Sequence, residues 1–331
     1  MAKLSLPIIS ETSTPTPHPA PKVERRSGPA RPSRQPDRAG KRPSWIKVRM
    51  SMRPTYFEVK KLVKDAGLHT VCESAGCPNI GECWSRRALT FMILGNVCTR
   101  SCGFCDVLTG RPGVVDDDEP RRVAEALATL NLRYAVITSV DRDDLPDGGA
   151  RIWAETIRRV KEACPEMGLE VLTPDFKGDH DDIRTVVEAR PDVFAHNIET
   201  VERLHTLVRP QARYARTLSV IEEGKKLGVV TKSGIMVGLG EQAHEVLVTM
   251  KDLRAAGCDI INIGQYLRPS DRHLPVDRWV TPEEFEWYAE QGRQLGFKHV
   301  ESGPLVRSSY RADMQAEAMG LEHAWQMQAD G

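Results

Sequence analysis

From residue 90 onward the apolar positions follow two alternating rhythms. Short, nearly continuous apolar runs recur at 90–95 (TFMILG), 134–140 (YAVITSV), 169–176 (LEVLTPDF), 192–200 (DVFAHNIET), 229–240 (VVTKSGIMVGLG), 259–267 (DIINIGQYL) and 297–302 (FKHVES). Each gap carries a stretch with apolar positions at helical spacing, among them EPRRVAEALATLNLR, RIWAETIRRVKEAC, RYARTLSVIEEGKKLG and TPEEFEWYAEQGRQLG. Apolar strands alternating with amphipathic helices predict parallel strands joined by right-handed crossovers. Six or seven such units suit a barrel or partial barrel better than a doubly wound sheet. No G-x-G-x-x-G follows the first run, which counts against a dinucleotide-binding fold.

Barrels of this kind keep their chemistry at the C-terminal ends of the strands, and the polar residues fall there. TFMILG leads straight into a cysteine-bearing loop. VITSV leads into DRDDLPDGGA, FAHNIET ends on His196, Asn197 and Glu199, and INIGQYL ends on Gln265 and Tyr266. IMVGLGE ends on a Gly-rich turn. A buried hydrogen-bond role accounts for any one of these polar residues; five strand ends in register predict a shared site.

The N-terminal part reads differently. Residues 12–44 hold eight prolines with many Ser and Arg, too little apolar surface to offset the entropy of ordering, which predicts a disordered arm. The arm is locally basic, with nine Lys or Arg against three acidic residues over residues 1–42, yet the chain's formal net charge is zero. Bulk charge therefore gives no case for nucleic acid or membrane. No apolar run approaches the ~20 residues of a membrane span, and the apolar part of MAKLSLPIIS falls short of a signal-peptide core. A cytoplasmic protein is expected.

Six of the eight cysteines lie in two clusters. NVCTRSCGFCDV places Cys98, Cys102 and Cys105 in the spacing C-x3-C-x2-C, directly after the first apolar run. VCESAGCPNIGECW places Cys72, Cys77 and Cys83 in the spacing C-x4-C-x5-C. A long chain with no export signal is a poor candidate for a disulfide framework, and neither set has the paired layout of a structural zinc site. Three thiolates can hold three irons of a [4Fe–4S] cluster and leave the fourth open. One cluster would leave thiols over, so two clusters are expected. Cys164 and Cys258 stand alone and read as small core residues.

C-x3-C-x2-C after the first strand of a βα barrel resembles the radical S-adenosylmethionine (SAM) superfamily, and Phe104 matches the aromatic often found before the last cysteine. With the upstream cysteines and the blocks FMILGNVCTRSCGFCDV, ITSVDRDDLPDGGA, HNIETVERL, TKSGIMVGLGE, IGQYL and GPLVRSSY, the chain closely resembles the lipoyl synthase family over roughly residues 43–318. Arg268, in GQYLRPS, departs from the neutral polar residue expected there.

The resemblance implies an α/β fold: a partial (β/α)6-type TIM barrel over residues 90–302. Extensions at 45–89 and 303–331 would hold an auxiliary cluster, and a Pro/Arg-rich arm would occupy 1–44. It implies insertion of two sulfur atoms at C6 and C8 of a protein-bound octanoyl chain. Cys98, Cys102 and Cys105 would hold the SAM-cleaving cluster. Cys72, Cys77 and Cys83 would hold an auxiliary [4Fe–4S] cluster that donates the sulfur, with Ser309 as its fourth ligand and Ser308 as the alternative. Ser139, Asn197 and Glu199 would hydrogen-bond SAM, and Gly148 and Gly149 would let a backbone edge approach its methionine end, unless that loop instead serves to cap the following helix. The partners implied are an octanoylated lipoyl carrier (an E2 lipoyl domain or the glycine cleavage H protein), a flavodoxin- or ferredoxin-type reductant and an iron–sulfur carrier for cluster repair, with no nucleic acid and no membrane.

Overall fold

A computed structural model describes residues 36–47 and 53–321. The expected Pro-rich arm lies outside the described residues up to residue 35. Its last part does not: Arg38 and Ala39 donate backbone hydrogen bonds to the Val276 carbonyl, and Asp37 pairs with Arg268 at 3.2 Å. Arg268, out of place by pattern, thus has a carboxylate partner far away in sequence.

The chain begins with α1 (Pro54–Asp65), β1 (His69–Thr70), α2 (Val71–Ser74) and α3 (Ile80–Ser85). Then come β2 (Thr90–Ile93), the short pair β3 (Val97–Cys98) and β4 (Leu108–Thr109), and α4 (Glu119–Leu130). The βα rhythm continues through β5 (Tyr134–Ser139), α5 (Ala150–Ala163), β6 (Gly168–Leu172), α6 (His180–Glu188), β7 (Val193–Ala195), α7 (Glu202–Val208) and α8 (Tyr214–Lys226). It ends with β8 (Val230–Val237), α9 (Ala243–Ala255), β9 (Ile260–Gln265), α10 (Pro282–Gln294), β10 (His299–Gly303) and α11 (Ala312–Glu317). Among the described residues one sheet runs β1-β2-β5-β6-β7-β8-β9-β10, parallel throughout except for the antiparallel β1–β2 edge. That is the expected partial barrel, with β10 at the expected run 297–302; the two-residue β1 is an edge strand that the apolar pattern does not predict.

Helix starts follow local chemistry. Proline occupies the first turn of α1, α4 and α10, where its missing N–H costs nothing. Thr281 accepts from the Glu284 amide at the start of α10, and a Gln242–Glu245 capping box opens α9. The outward faces of the strands pack on the helices: Ala135, Ile137, Leu169, Val171 and Phe194 are all fully buried with Leu127, Trp153 and Ile157.

The inner faces are not filled by strand side chains alone. After β10 the chain turns back into the barrel. Asn262 of β9 donates to the carbonyls of Arg307 and Ser308 at 3.2 and 2.8 Å. Thr90 of β2 donates to the Ser309 hydroxyl at 2.8 Å, and Asn197 donates to Ser308 Oγ at 2.6 Å. Helix α11 then sets Ala312 and Ala316 against Tyr134, Val136 and Val193. Beside it lies a buried ion pair, Lys232 to Glu170 at 2.8 Å, with Tyr134 donating to the same carboxylate.

This return path requires glycine. A Cβ on Gly264 would sit 2.2 Å from the Val306 carbonyl oxygen, a backbone atom that cannot step aside. Gly264→Ala should therefore cost about 1–3 kcal/mol, read as a lower urea midpoint. Gly303→Ala, whose Cβ would meet a Val306 methyl at an ordinary 3.5 Å, should shift it far less.

Candidate functional site

The Cys98 loop leaves β2 through Leu94 and Gly95, both with left-handed backbone (φ 66° and 89°), and the Leu94 amide is held at 2.7 Å by the buried carboxylate of Glu119. Its anchor is Arg100, 4 % exposed. The guanidinium bonds Asp143 at 2.8 Å and Asp175 at 2.6 Å and faces Asp141 at 3.3 Å, tying the loop to the ends of β5 and β6. Gln211 fastens Ser101 through both amide atoms, and His273 faces the Cys105 carbonyl at 3.1 Å. The Cys98 sulfur accepts from the Arg100 and Asp141 amides.

The loop forms one wall of a cavity of about 560 Å³ at the C-terminal ends of the strands, lined by Cys98, Cys102 and Cys105 and, opposite, by Cys72, Cys77 and Ser309. A smaller cavity of about 360 Å³ is lined by Cys72, Cys77, Cys83 and Ser309. The two share Cys72, Cys77, Thr90, Arg307 and Ser309 as a common wall. Helices α2 and α3 carry Cys72 and Cys83; the tail through the barrel carries Ser309. Ser308 lines only the larger cavity.

Burial pushes all six thiols up: Cys72 and Cys102 to about 11, Cys83 and Cys105 to about 12, Cys77 upward, and Cys98 further, with the Asp141 carboxylate adding to the effect. As free thiols they stay protonated at neutral pH, so metal binding must release protons. Among the described residues no three His, Cys, Asp or Glu close on a single metal ion, whereas a cluster spreads its ligands over several irons.

The structure brings most of the expected SAM residues to the larger cavity. Ser139, Asn197 and Glu199 line it. Glu199 holds a left-handed backbone (φ 67°), its carboxyl is raised by burial, and Asn197 donates to it at 3.0 Å. Gly148 and Gly149 are separated from it. Asp147 accepts from the Gly149 and Arg151 amides to start α5, and the space beside Gly149 belongs to Leu94; the loop caps a helix. His196 and Gln265 reach the wall but their polar atoms bond Thr173, Thr217, Val237 and Val280. Two arginines went unread in the sequence. Arg100 is a charge inside a loop of small residues, opposite the carboxylates of DRDDLPD, and that juxtaposition is its only signal. Arg209 lines the cavity and donates to the Asn197 carbonyl at 2.7 Å.

Residues 92–253 match the radical SAM superfamily model. Methylornithine synthase shares the fold at TM-score 0.51 and 13% identity, over 80% of this chain and 93% of that one, and SAM-bound SuiB of Streptococcus suis does so at TM-score 0.52 and 9% identity, over 69% and 55%. Fold and cysteine loop thus define a radical SAM enzyme. Within that class, the lipoyl synthase of Rubrobacter xylanophilus is 60% identical over 278 residues, 83% of this chain and 87% of its own. That of Nocardia farcinica is 51% identical over 321 residues, 94% and 91%. The chain belongs to the lipoyl synthase family.

Membership of the superfamily implies a [4Fe–4S] cluster and SAM, and the residues present fit both. Three thiols from one loop face the cavity. Asn197 Oδ1, Asn262 Oδ1 and Arg209 Nε are buried on its wall without a partner among the described residues, a mixed donor and acceptor set that suits a zwitterionic nucleoside.

Two predictions follow from this electrostatics. Burial pushes the Asp175 carboxyl up, but Arg100 outweighs it and holds it below the usual range. Arg100→Met removes that partner and should cost about 3–5 kcal/mol, with iron uptake by the Cys98 loop lost on anaerobic reconstitution. Burial also holds His196 and His205 down to about 4. The unfolded chain takes up those protons near pH ~6.5. Stability should be full above that pH and fall as pH drops through about 4, measured as unfolding free energy against pH; His196→Gln should flatten the slope.

Proposed function

We propose that this chain inserts one sulfur atom at C6 and one at C8 of an octanoyl chain amide-linked to a lysine of a carrier protein, giving the lipoyl group. The observation that carries this reading is the wall shared by the two cavities: thiols of both sets look into one space, so a carbon radical made at one side has a sulfur source at the other.

Cys98, Cys102 and Cys105 hold the SAM-cleaving cluster. With SAM bound, that cluster supplies a 5′-deoxyadenosyl radical, needed because neither target carbon is activated for removal of a proton. Arg100 fixes the loop, Ser139, Asn197 and Glu199 hold SAM, and the barrel end excludes water. The auxiliary [4Fe–4S] cluster is a substrate of the reaction, the source of both sulfur atoms, bound by Cys72, Cys77, Cys83 and Ser309. A serine oxygen matches iron less well than a thiolate, so the iron it holds departs first and exposes sulfide. Residues 90–302 form the catalytic barrel, and the segments 45–89 and 303–331 supply the auxiliary ligands. The substrate is an octanoylated E2 lipoyl domain or H protein in the cytoplasm, the electrons come from a flavodoxin- or ferredoxin-type protein, and an iron–sulfur carrier rebuilds the consumed cluster. Among the described residues no helix is long and apolar enough to cross a membrane.

Division of labour between the cysteine sets is testable with an octanoylated peptide and dithionite. Cys102→Ala should give no 5′-deoxyadenosine. Cys77→Ala should still give it and yield no lipoyl product; lipoyl product from this variant would exclude the upstream set as the sulfur source. Ser309→Cys should keep iron content and deoxyadenosine formation and slow sulfur transfer sharply, because a thiolate keeps the iron. Full lipoyl yield at the normal rate would remove the labile-iron step.

A further inference from the structure

We propose that Thr90 is a positioning residue that sets how readily the Ser309-held iron leaves the auxiliary cluster, a role that rests on the reading of Ser309 as a ligand. Thr90 opens β2, is 2 % exposed, and belongs to the wall between the two cavities. Its hydroxyl lies 2.8 Å from Ser309 Oγ. Cys72 lines the same wall in both cavities. One buried residue therefore touches the ligand of the C-terminal tail, on a wall it shares with a ligand of the N-terminal extension.

Chemistry fixes the direction of the hydroxyl contact. A serine oxygen bound to iron has lost its proton and can only accept, so Thr90 must be the donor. A donated hydrogen bond draws density from the oxygen lone pairs and weakens the Fe–O bond. When that bond breaks, its electron pair stays on Ser309 Oγ, and the Thr90 O–H is already aimed at the charge that develops. A thiolate neighbour gains less from the same donor, since sulfur is the weaker acceptor. The serine alone makes one iron loosely held; Thr90 makes its departure easier still. Valine at this position keeps the shape and removes the donor.

The test uses the full-length chain, reconstituted anaerobically. Iron and sulfide per chain are counted, the oxygen-ligated iron is followed by Mössbauer spectroscopy, and loss of the first iron to EDTA is timed. Thr90→Val should load like wild type and release that iron roughly tenfold more slowly, the scale of one charge-assisted hydrogen bond. Thr90→Ser, which keeps the hydroxyl, should restore the wild-type rate. In a Ser309→Cys background the Thr90→Val change should have less than about a twofold effect, because the accepting oxygen is gone. Release from Thr90→Val at the wild-type rate or faster overturns the proposal. Should Thr90→Val fail to load, Thr90→Ala replaces it under the same criterion. Failure of both to load while Thr90→Ser loads normally also overturns it, since the hydroxyl would then build the site rather than tune it. Slower release from Ser309→Cys alone sinks only the Thr90 role; unchanged release from Ser309→Cys sinks the ligand assignment beneath it.

Discussion

The backbone of residues 306–309 crosses the inside of a barrel, and a buried backbone must find hydrogen-bond partners there. Asn262 supplies two of them, to the carbonyls of Arg307 and Ser308. Gly234 and Gly264 clear the way, since a side chain at either would strike Asn197 or the Val306 carbonyl. Most βα barrels fill their interior with layers of strand side chains. Here the chain's own tail does much of that filling, which is why Ser309 stands beside Thr90 and in one wall with Cys72 at all. The candidate sulfur site is a consequence of how the barrel is packed.

Charge is arranged on the same plan. Arg100 is buried among three carboxylates from two strand ends, so the Cys98 loop is pinned by an ion network rather than by apolar packing. Such a network is expensive to break from one side and cheap to keep whole. Arg307 lies in the wall between the cavities, its positive charge disfavoured by burial and supported by Cys77 and Glu199. Arg307 thus brings positive charge to the thiols of the shared wall, whereas the charge of Arg100 is spent on its carboxylates.

Much of this was legible in the sequence, for definite reasons. The βα rhythm gave the parallel sheet because strands buried on both faces must be apolar throughout. Cysteine spacing gave two sets because three thiols on one loop have few other uses. The glycines after DRDDLPD left two readings open, since close backbone approach to a ligand and the start of a helix call for the same residue; the contacts of Asp147 and Leu94 that favour the helix start exist only in three dimensions. Arg100 was overlooked because burial of a charge depends on carboxylates 43 and 75 residues away. Gln265 and His196 line the cavity, but their polar atoms bond neighbouring strands, loops and a helix, which the sequence pattern does not reveal. That Ser309 lines both cavities and Ser308 only the larger one depends on the tail's path, which no local pattern encodes.

The contact between Thr90 and Ser309 spans 219 residues. A ribosome adding residues at about 5–20 per second takes on the order of ten to forty seconds to cover that distance. Through that interval the nascent chain carries Thr90 with no Ser309 to meet it and a barrel that the tail has not yet filled, so the wall between the two cavities closes only after residue 309 has been made.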